Sequence, residues 1–260
     1  MSQNVLVVHG GGPTAVINAS LYGVIEEAKR NPEVGKVYGA IGGTGAIFSE
    51  TFIDLTSFDD EKLKLLLHTP ASAIGSSRYP LYEKDYEKMV DIFKKHDIKY
   101  VLLNGGNGTM DACGHIYEVC KDQDIKVVGI PKTIDNDIAM TDHSPGYGSA
   151  ARFIAASTQE VGEDVKSLPI HVCIMEAMGR NAGWITAASA LARRKQGDAP
   201  HLIYLPERNF NEDEFLEDVS KLQKKQGGVV VLVSEGLHDA NGESIVPPIF
   251  KSERAVYYGD

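Results

Sequence analysis

The stretch GIPKTIDNDI, Gly129 to Ile138, closes an apolar run with Pro131 and then sets Lys132, Thr133, Asp135 and Asp137 within a few residues. Two carboxylates two positions apart repel each other, so something must offset that repulsion. One reading is local: an Asp caps a helix or a turn by accepting from nearby backbone N–H groups. The other divides the labour. One carboxylate takes a proton from an attacking hydroxyl. The other holds Mg2+, which takes a few carboxylates together with waters and phosphate oxygens. Mg2+ and Lys132 would then neutralise the pair, and Thr133 would donate to a phosphate oxygen. That combination suits phosphoryl transfer, where positioning and charge neutralisation dominate.

Other clusters point the same way. Gly10, Gly11 and Gly12 let the backbone approach a ligand and aim N–H groups at it, as do Gly105, Gly106 and Gly108 before a helical pattern. Neither cluster is a Walker A loop or a G-x-G-x-x-G fingerprint. Alone, each reads as a tight turn; together they favour phosphate. Arg78 in GSSRYP and Arg180 in MGRNAGW can grip phosphate bidentately, although a lone Arg is usually just solvated. Glu235 ends an apolar run and suits sugar hydroxyls or solvent equally. Trp184 reads as helix packing.

These residues follow strands. Asn4–Val8, Tyr100–Asn104, Lys126–Ile130, His171–Met175, Leu202–Leu205 and Val229–Ser234 are near-continuous apolar runs, as in a parallel sheet covered on both faces. Segments 18–30, 85–96, 109–121, 147–166, 180–196 and 212–226 read as helices; Met89, Ile92 and Phe93 share one face. Repeated βα units mean an open, doubly wound sheet, whose ligands sit at the carboxyl ends of strands. A domain change is expected near residues 138–148, where Pro145, Gly146 and Gly148 interrupt the pattern.

Composition agrees with this picture. The chain has 260 residues and a net charge of −10, which disfavours nucleic acid and anionic membranes as partners. An anionic substrate would require its positive groups to be concentrated locally. Cys113, Cys120 and Cys173 form no C-x-x-C pair and suggest reduced, buried thiols. The N-terminus lacks a signal-peptide pattern, and no apolar run approaches membrane-spanning length. The expected location is the cytoplasm.

GGGPTAVIN, GSSRYP, GGNGTMDA, PKTIDND, EAMGRNAGW, LPE and VSEG, in that order, resemble the phosphofructokinase family of the non-ribokinase type. The resemblance implies an α/β fold of two doubly wound, mainly parallel, Rossmann-like domains with the active site between them. Residues 1–138 would bind the donor phosphate and residues 139–260 the sugar phosphate. It implies Mg2+-dependent phosphoryl transfer to the 1-hydroxyl of fructose 6-phosphate, giving fructose 1,6-bisphosphate, by a homo-oligomer (dimer or tetramer). By motif, Asp135 is the base, with Lys132 also catalytic, and Asp137 and Asn107 face the metal. Gly11, Gly12, Arg78, Asn107, Gly108 and Thr109 line the donor site. Thr133, Ile134, Asp135, Met178, Gly179, Arg180 and Glu235 contact the sugar phosphate.

Three departures stand out. Asn107 replaces an acid found in many members. His171 replaces an Arg that reaches a neighbouring subunit's site, and histidine can be neutral near pH 7. The chain stops at Asp260, short of a segment carrying further basic residues; a truncated or shortened member is expected, and residues 245–260 show no matching basic motif. The donor markers diverge. Lys132 is associated with pyrophosphate and would neutralise a phosphate leaving group; Gly108 leaves room for ATP. Pyrophosphate is favoured, with ATP the alternative. A catalytically silent, sugar-phosphate-sensing subunit or truncated module is the competing reading.

Overall fold

The computed structural model describes residues 3–245, so the tail beyond them lies outside the described residues. The chain divides into two compact units after Thr133. In the first, strands β1 (Gln3–Gly10), β2 (Val34–Ala40), β3 (Phe52–Asp54), β4 (Ile98–Gly105) and β5 (Lys126–Pro131) make one sheet in the order β3-β2-β1-β4-β5. Only the β2–β3 pairing at one edge is antiparallel. The helices of this unit are α1 (Ala15–Arg30), α2 (Gly45–Phe48), α3 (Asp60–Lys64), α4 (Glu83–Lys95) and α5 (Asn107–Cys120).

The apolar runs are continuous because both faces are covered. Along β1, Leu6 and Val8 pack with Met89 and Phe93 of α4 and with Cys113, Ile116 and Cys120 of α5. Val5 and Val7 pack on the opposite face with Leu21 and Ile25 of α1. The seven-residue spacing of Cys113 and Cys120 thus marks the inner face of α5. Strand order reverses direction between β1 and β4, which makes their carboxyl ends the switch point where such sheets bind ligands.

The second unit holds α6 (Tyr147–Ser167), β6 (Val172–Ala177), α7 (Trp184–Ala188), β7 (Leu202–Tyr204), α8 (Glu212–Gln226) and β8 (Val229–Ser234). Its parallel sheet runs β6-β8-β7. Val229 to Leu232 of the central β8 are fully buried, and Ala151, Ile154 and Val165 of α6 pack on this core. Among the described residues no helix is long and apolar enough to cross a membrane.

Several expectations are corrected. The helix expected over 180–196 is a bend through Arg180, then α7 and a 3-10 turn, Ser189–Ala192. Gly179 at φ +111° and Gly183 delay its start. Trp184 opens α7 with 53% of its surface exposed instead of packing. Strands β2 and β3 and the short helices α2 and α3 are additional elements. Cys173 is half-buried, unlike the other two free thiols.

Candidate functional site

In the first unit the two glycine clusters meet at the switch point. Gly10 pairs with Gly105. A Cβ on Gly105 would lie 2.4 Å from the Gly10 carbonyl oxygen and 2.4 Å from Thr109 Oγ1, so no side chain fits there. Thr109 is buried and fills the notch between the strand ends. Gly11, at φ +72°, turns the chain. Ser76 Oγ donates to the Gly11 carbonyl at 2.7 Å, and Gly11 N–H donates to the Ser77 carbonyl at 3.3 Å. The segment carrying Arg78 is therefore stitched to the glycine turn. A Cβ on Gly12 or Gly108 would meet nothing within 4 Å, so both face open space. Helix α5 begins here with Gly106 as N-cap and no side-chain cap, and its first turn presents main-chain N–H groups suited to an anion. Asn107 and Arg78 are exposed.

Lys132 is buried at 5% exposure. Its backbone N–H donates to the Gly105 carbonyl at 2.8 Å, and its ammonium donates to the Gly12 carbonyl. Two ties to the two glycine clusters hold this charge at the turn rather than in solvent. His9, the residue before Gly10, is fully buried. Burial first, and then the Lys132 charge, lower its pKa from 6.5 to about 4, because both disfavour an imidazolium.

In the second unit the acids flank a pinned asparagine. Asn136 is buried at φ +58°, a backbone region that asparagine tolerates. Its Oδ1 accepts the Ser144 N–H at 2.7 Å, and its amide donates to the Asp142 carbonyl at 3.3 Å. Asp135 on one side is half-buried; Asp137 on the other is exposed. A Cβ on Gly179 would stand 4.0 Å from Asp135 Oδ1, which puts this carboxylate beside the Met178–Arg180 loop. The Gly179 N–H donates to Glu235 Oε1 at 3.0 Å, and its carbonyl accepts from Ser234 Oγ at 2.7 Å. Gly236 packs so closely that a Cβ there would lie 1.6 Å from the Arg180 carbonyl oxygen. The ends of β6 and β8 are thus laced together around Arg180. Gly183 N–H donates to Glu207 Oε1 at 2.7 Å, tying in the LPE segment.

Met178, Arg180 and Glu235 are exposed; Ile134 packs on the second core; Thr133 is buried at the end of the first unit. Sequence reasoning missed Ser76, Asn136, Ser234, Gly236 and His9. Asparagine as a residue type is enriched at positive φ, a weak signal for Asn136; the others carry no local mark. Among the described residues no group of three or more His, Cys, Asp and Glu could hold a metal. Asn107 in the first unit offers one exposed amide oxygen, and Asp137 in the second an exposed carboxylate.

The model of the phosphofructokinase family matches residues 4–256. A pyrophosphate–fructose 6-phosphate 1-phosphotransferase from Rhodospirillum rubrum is 44% identical over 244 residues, covering 93% of this chain and 60% of that protein. An ATP-dependent 6-phosphofructokinase from Amycolatopsis methanolica is 30% identical over 247 residues, covering 91% of this chain and 52% of that protein. The crystal structure of a pyrophosphate-dependent phosphofructokinase from Nitrosospira multiformis has a TM-score of 0.86 at 38% identity, covering 94% of this chain and 63% of that one. The chain therefore spans about 60% of the length of the pyrophosphate-using relative from R. rubrum. With a match that takes in every strand end described above, from the glycine turn to Glu235, the chain belongs to the phosphofructokinase family.

Proposed function

We propose that the chain moves a phosphoryl group from pyrophosphate to the 1-hydroxyl of fructose 6-phosphate, the first unit serving the donor and the second the sugar phosphate. The observation that carries the choice of donor is Lys132, buried with its ammonium on the Gly12 carbonyl. A compact, fixed cation matches a small, highly charged leaving phosphate, and it needs no reorganisation as that charge develops. The 44% identity to a pyrophosphate-using relative, against 30% to an ATP-using one, supports the same choice. The open space at Gly108 favours ATP as the second reading.

In the transfer, the oxygen of the sugar's 1-hydroxyl bonds to phosphorus as the bond to the leaving phosphate breaks. Asp135 takes the hydroxyl proton, on a backbone that Asn136 fixes. Arg180 grips the sugar's phosphate and Glu235 accepts from its hydroxyls, both held by the Gly179 and Gly236 packing. Asp137 and Asn107 would hold Mg2+, which supplies neutralisation of phosphate charge. A coupled assay for fructose 1,6-bisphosphate with either donor tests this. Product with pyrophosphate in preference to ATP is expected. Turnover with ATP alone overturns the donor, and fructose 6-phosphate binding without turnover supports the silent sensor.

A further inference from the structure

His9 is a buried titratable group that the reaction above does not use. Its Nδ1 lies 2.8 Å from Ser72 Oγ, and Ser72 Oγ donates to the Gly75 carbonyl at 2.8 Å. A hydroxyl has one proton to give, so Ser72 accepts from His9 and Nδ1 carries the ring hydrogen. Nε2 then holds a lone pair, buried and without a hydrogen-bond partner among the described residues. An apolar side chain would fill this space without that desolvation cost. The Gly75 N–H returns to the Ser72 carbonyl at 3.2 Å, closing a turn that needs φ +73° at Gly75. The next residues are Ser76, which donates to the Gly11 carbonyl, Ser77, which bridges to Gly10, and Arg78. Asn18 already fixes the preceding backbone, accepting the Ala73 N–H and donating to the Thr69 and Ala71 carbonyls. What His9 adds is the direction of the Ser72 hydroxyl, and through it the placement of Gly75.

We propose that His9 is a positioning residue for the donor half-site: its Nδ1–H, relayed by Ser72 to Gly75, sets where Ser76 to Arg78 stand against the glycine turn. This rests on the reading that the turn receives pyrophosphate. Three variants test it in the full chain. His9→Asn keeps an amide donor near the place of Nδ1. His9→Gln moves it towards the place of Nε2. Ser72→Ala removes the relay from a half-buried turn, and it carries the test if His9→Gln does not fold. The readouts are amide hydrogen exchange over residues 75–78 and the separate KM values for pyrophosphate and fructose 6-phosphate.

His9→Asn should behave as wild type. His9→Gln and Ser72→Ala should raise the KM for pyrophosphate on the order of tenfold, the effect of one lost hydrogen bond. The KM for fructose 6-phosphate should stay unchanged, and exchange should quicken at 75–78 alone. Equal behaviour of His9→Asn and His9→Gln overturns the proposal, as does loosening spread across the sheet or an equal rise in both KM values. If the wild type turns over no pyrophosphate, the donor reading fails on its own. The exchange comparison then decides the relay: exchange at 75–78 alike in wild type and Ser72→Ala overturns it.

Discussion

A methyl group at position 236 should unseat Arg180. The ideal Cβ would lie 1.6 Å from the Arg180 carbonyl oxygen, 2.5 Å from its carbonyl carbon and 2.8 Å from its Cα. Reaching even a tight 3.0 Å contact needs a displacement of about 1.4 Å, and the obstructing atoms are main chain, not a flexible side-chain end. The loop cannot retreat cheaply. Its neighbour Gly179 is held from both sides, by Glu235 Oε1 on the N–H and Ser234 Oγ on the carbonyl. Gly236→Ala should therefore cost about 1–3 kcal/mol of overpacking, a Tm drop of roughly 2–10 °C for a chain of this size. A displacement near 1 Å at a positioning group costs on the order of 100-fold in rate. Calorimetry and the coupled assay together would read both effects. The kcat/KM for fructose 6-phosphate should fall about that far, while the KM for pyrophosphate stays put. Wild-type Tm and turnover would refute the close packing, and an equal loss towards both substrates would refute the assignment of Arg180 to the sugar side.

The same substitution at Gly114 should act in the opposite direction. There a Cβ meets nothing within 4 Å on the exposed face of α5, so Gly114→Ala should stabilise by about 0.5–1 kcal/mol in urea unfolding; a loss would mean that the helix face is packed. Asp135→Asn should lower kcat by roughly 10²–10⁴-fold with fructose 6-phosphate affinity kept; an effect confined to KM removes Asp135 from the role of base. Lys132→Gly should lower kcat/KM more for pyrophosphate than for ATP, and an unchanged ratio ends its donor-selecting role. His9 ordinarily titrates near 6.5 but near 4 in the folded chain. Between those values the unfolded state binds more protons, so stability falls as pH drops through that window, by on the order of 3 kcal/mol in all. Unfolding free energies of wild type and His9→Asn against pH should diverge there, and parallel curves would contradict the shift.

Strands that are buried on both faces, such as β1, β4 and β8, write themselves into the sequence as apolar runs, and α8 does so through its polar periodicity and its Asn211 cap. Strand β2 does not. Gly35, Lys36 and Gly39 dilute its pattern, and the need for Gly39 is tertiary: a Cβ would press on Ile74, Ile53 and Leu55 at 3.1–3.2 Å. The overlong helix expected from Arg180 has a similar cause. Ala-rich composition suggests helix from 180 onward, but the Gly179 conformation and the Glu207 bond to Gly183 hold its first residues in a bend.

At the candidate site, residue types at strand ends were legible and the ties between them were not. Ser76 reaches Gly11 across 65 positions, His9 reaches Ser72 across 63, and Glu235 reaches Gly179 across 56. No local pattern encodes a partner at such a separation. Lys132 shows what this conceals. From sequence it is a cation beside two acids; in the fold it is buried against a carbonyl 120 positions away. On a chain of net charge −10 a solvated lysine would be one weak, screened charge among many. Buried at the glycine turn, the same charge is screened far less, so it acts strongly on what comes near. Its effect on His9 adds to that of burial: burial first, and then this charge, keep the ring neutral. The charge that adds to burial in keeping a proton off His9 is the charge that would draw a phosphate to Gly12. One perturbation therefore links the two: removing the Lys132 charge should raise the pKa of His9 and weaken the donor site together.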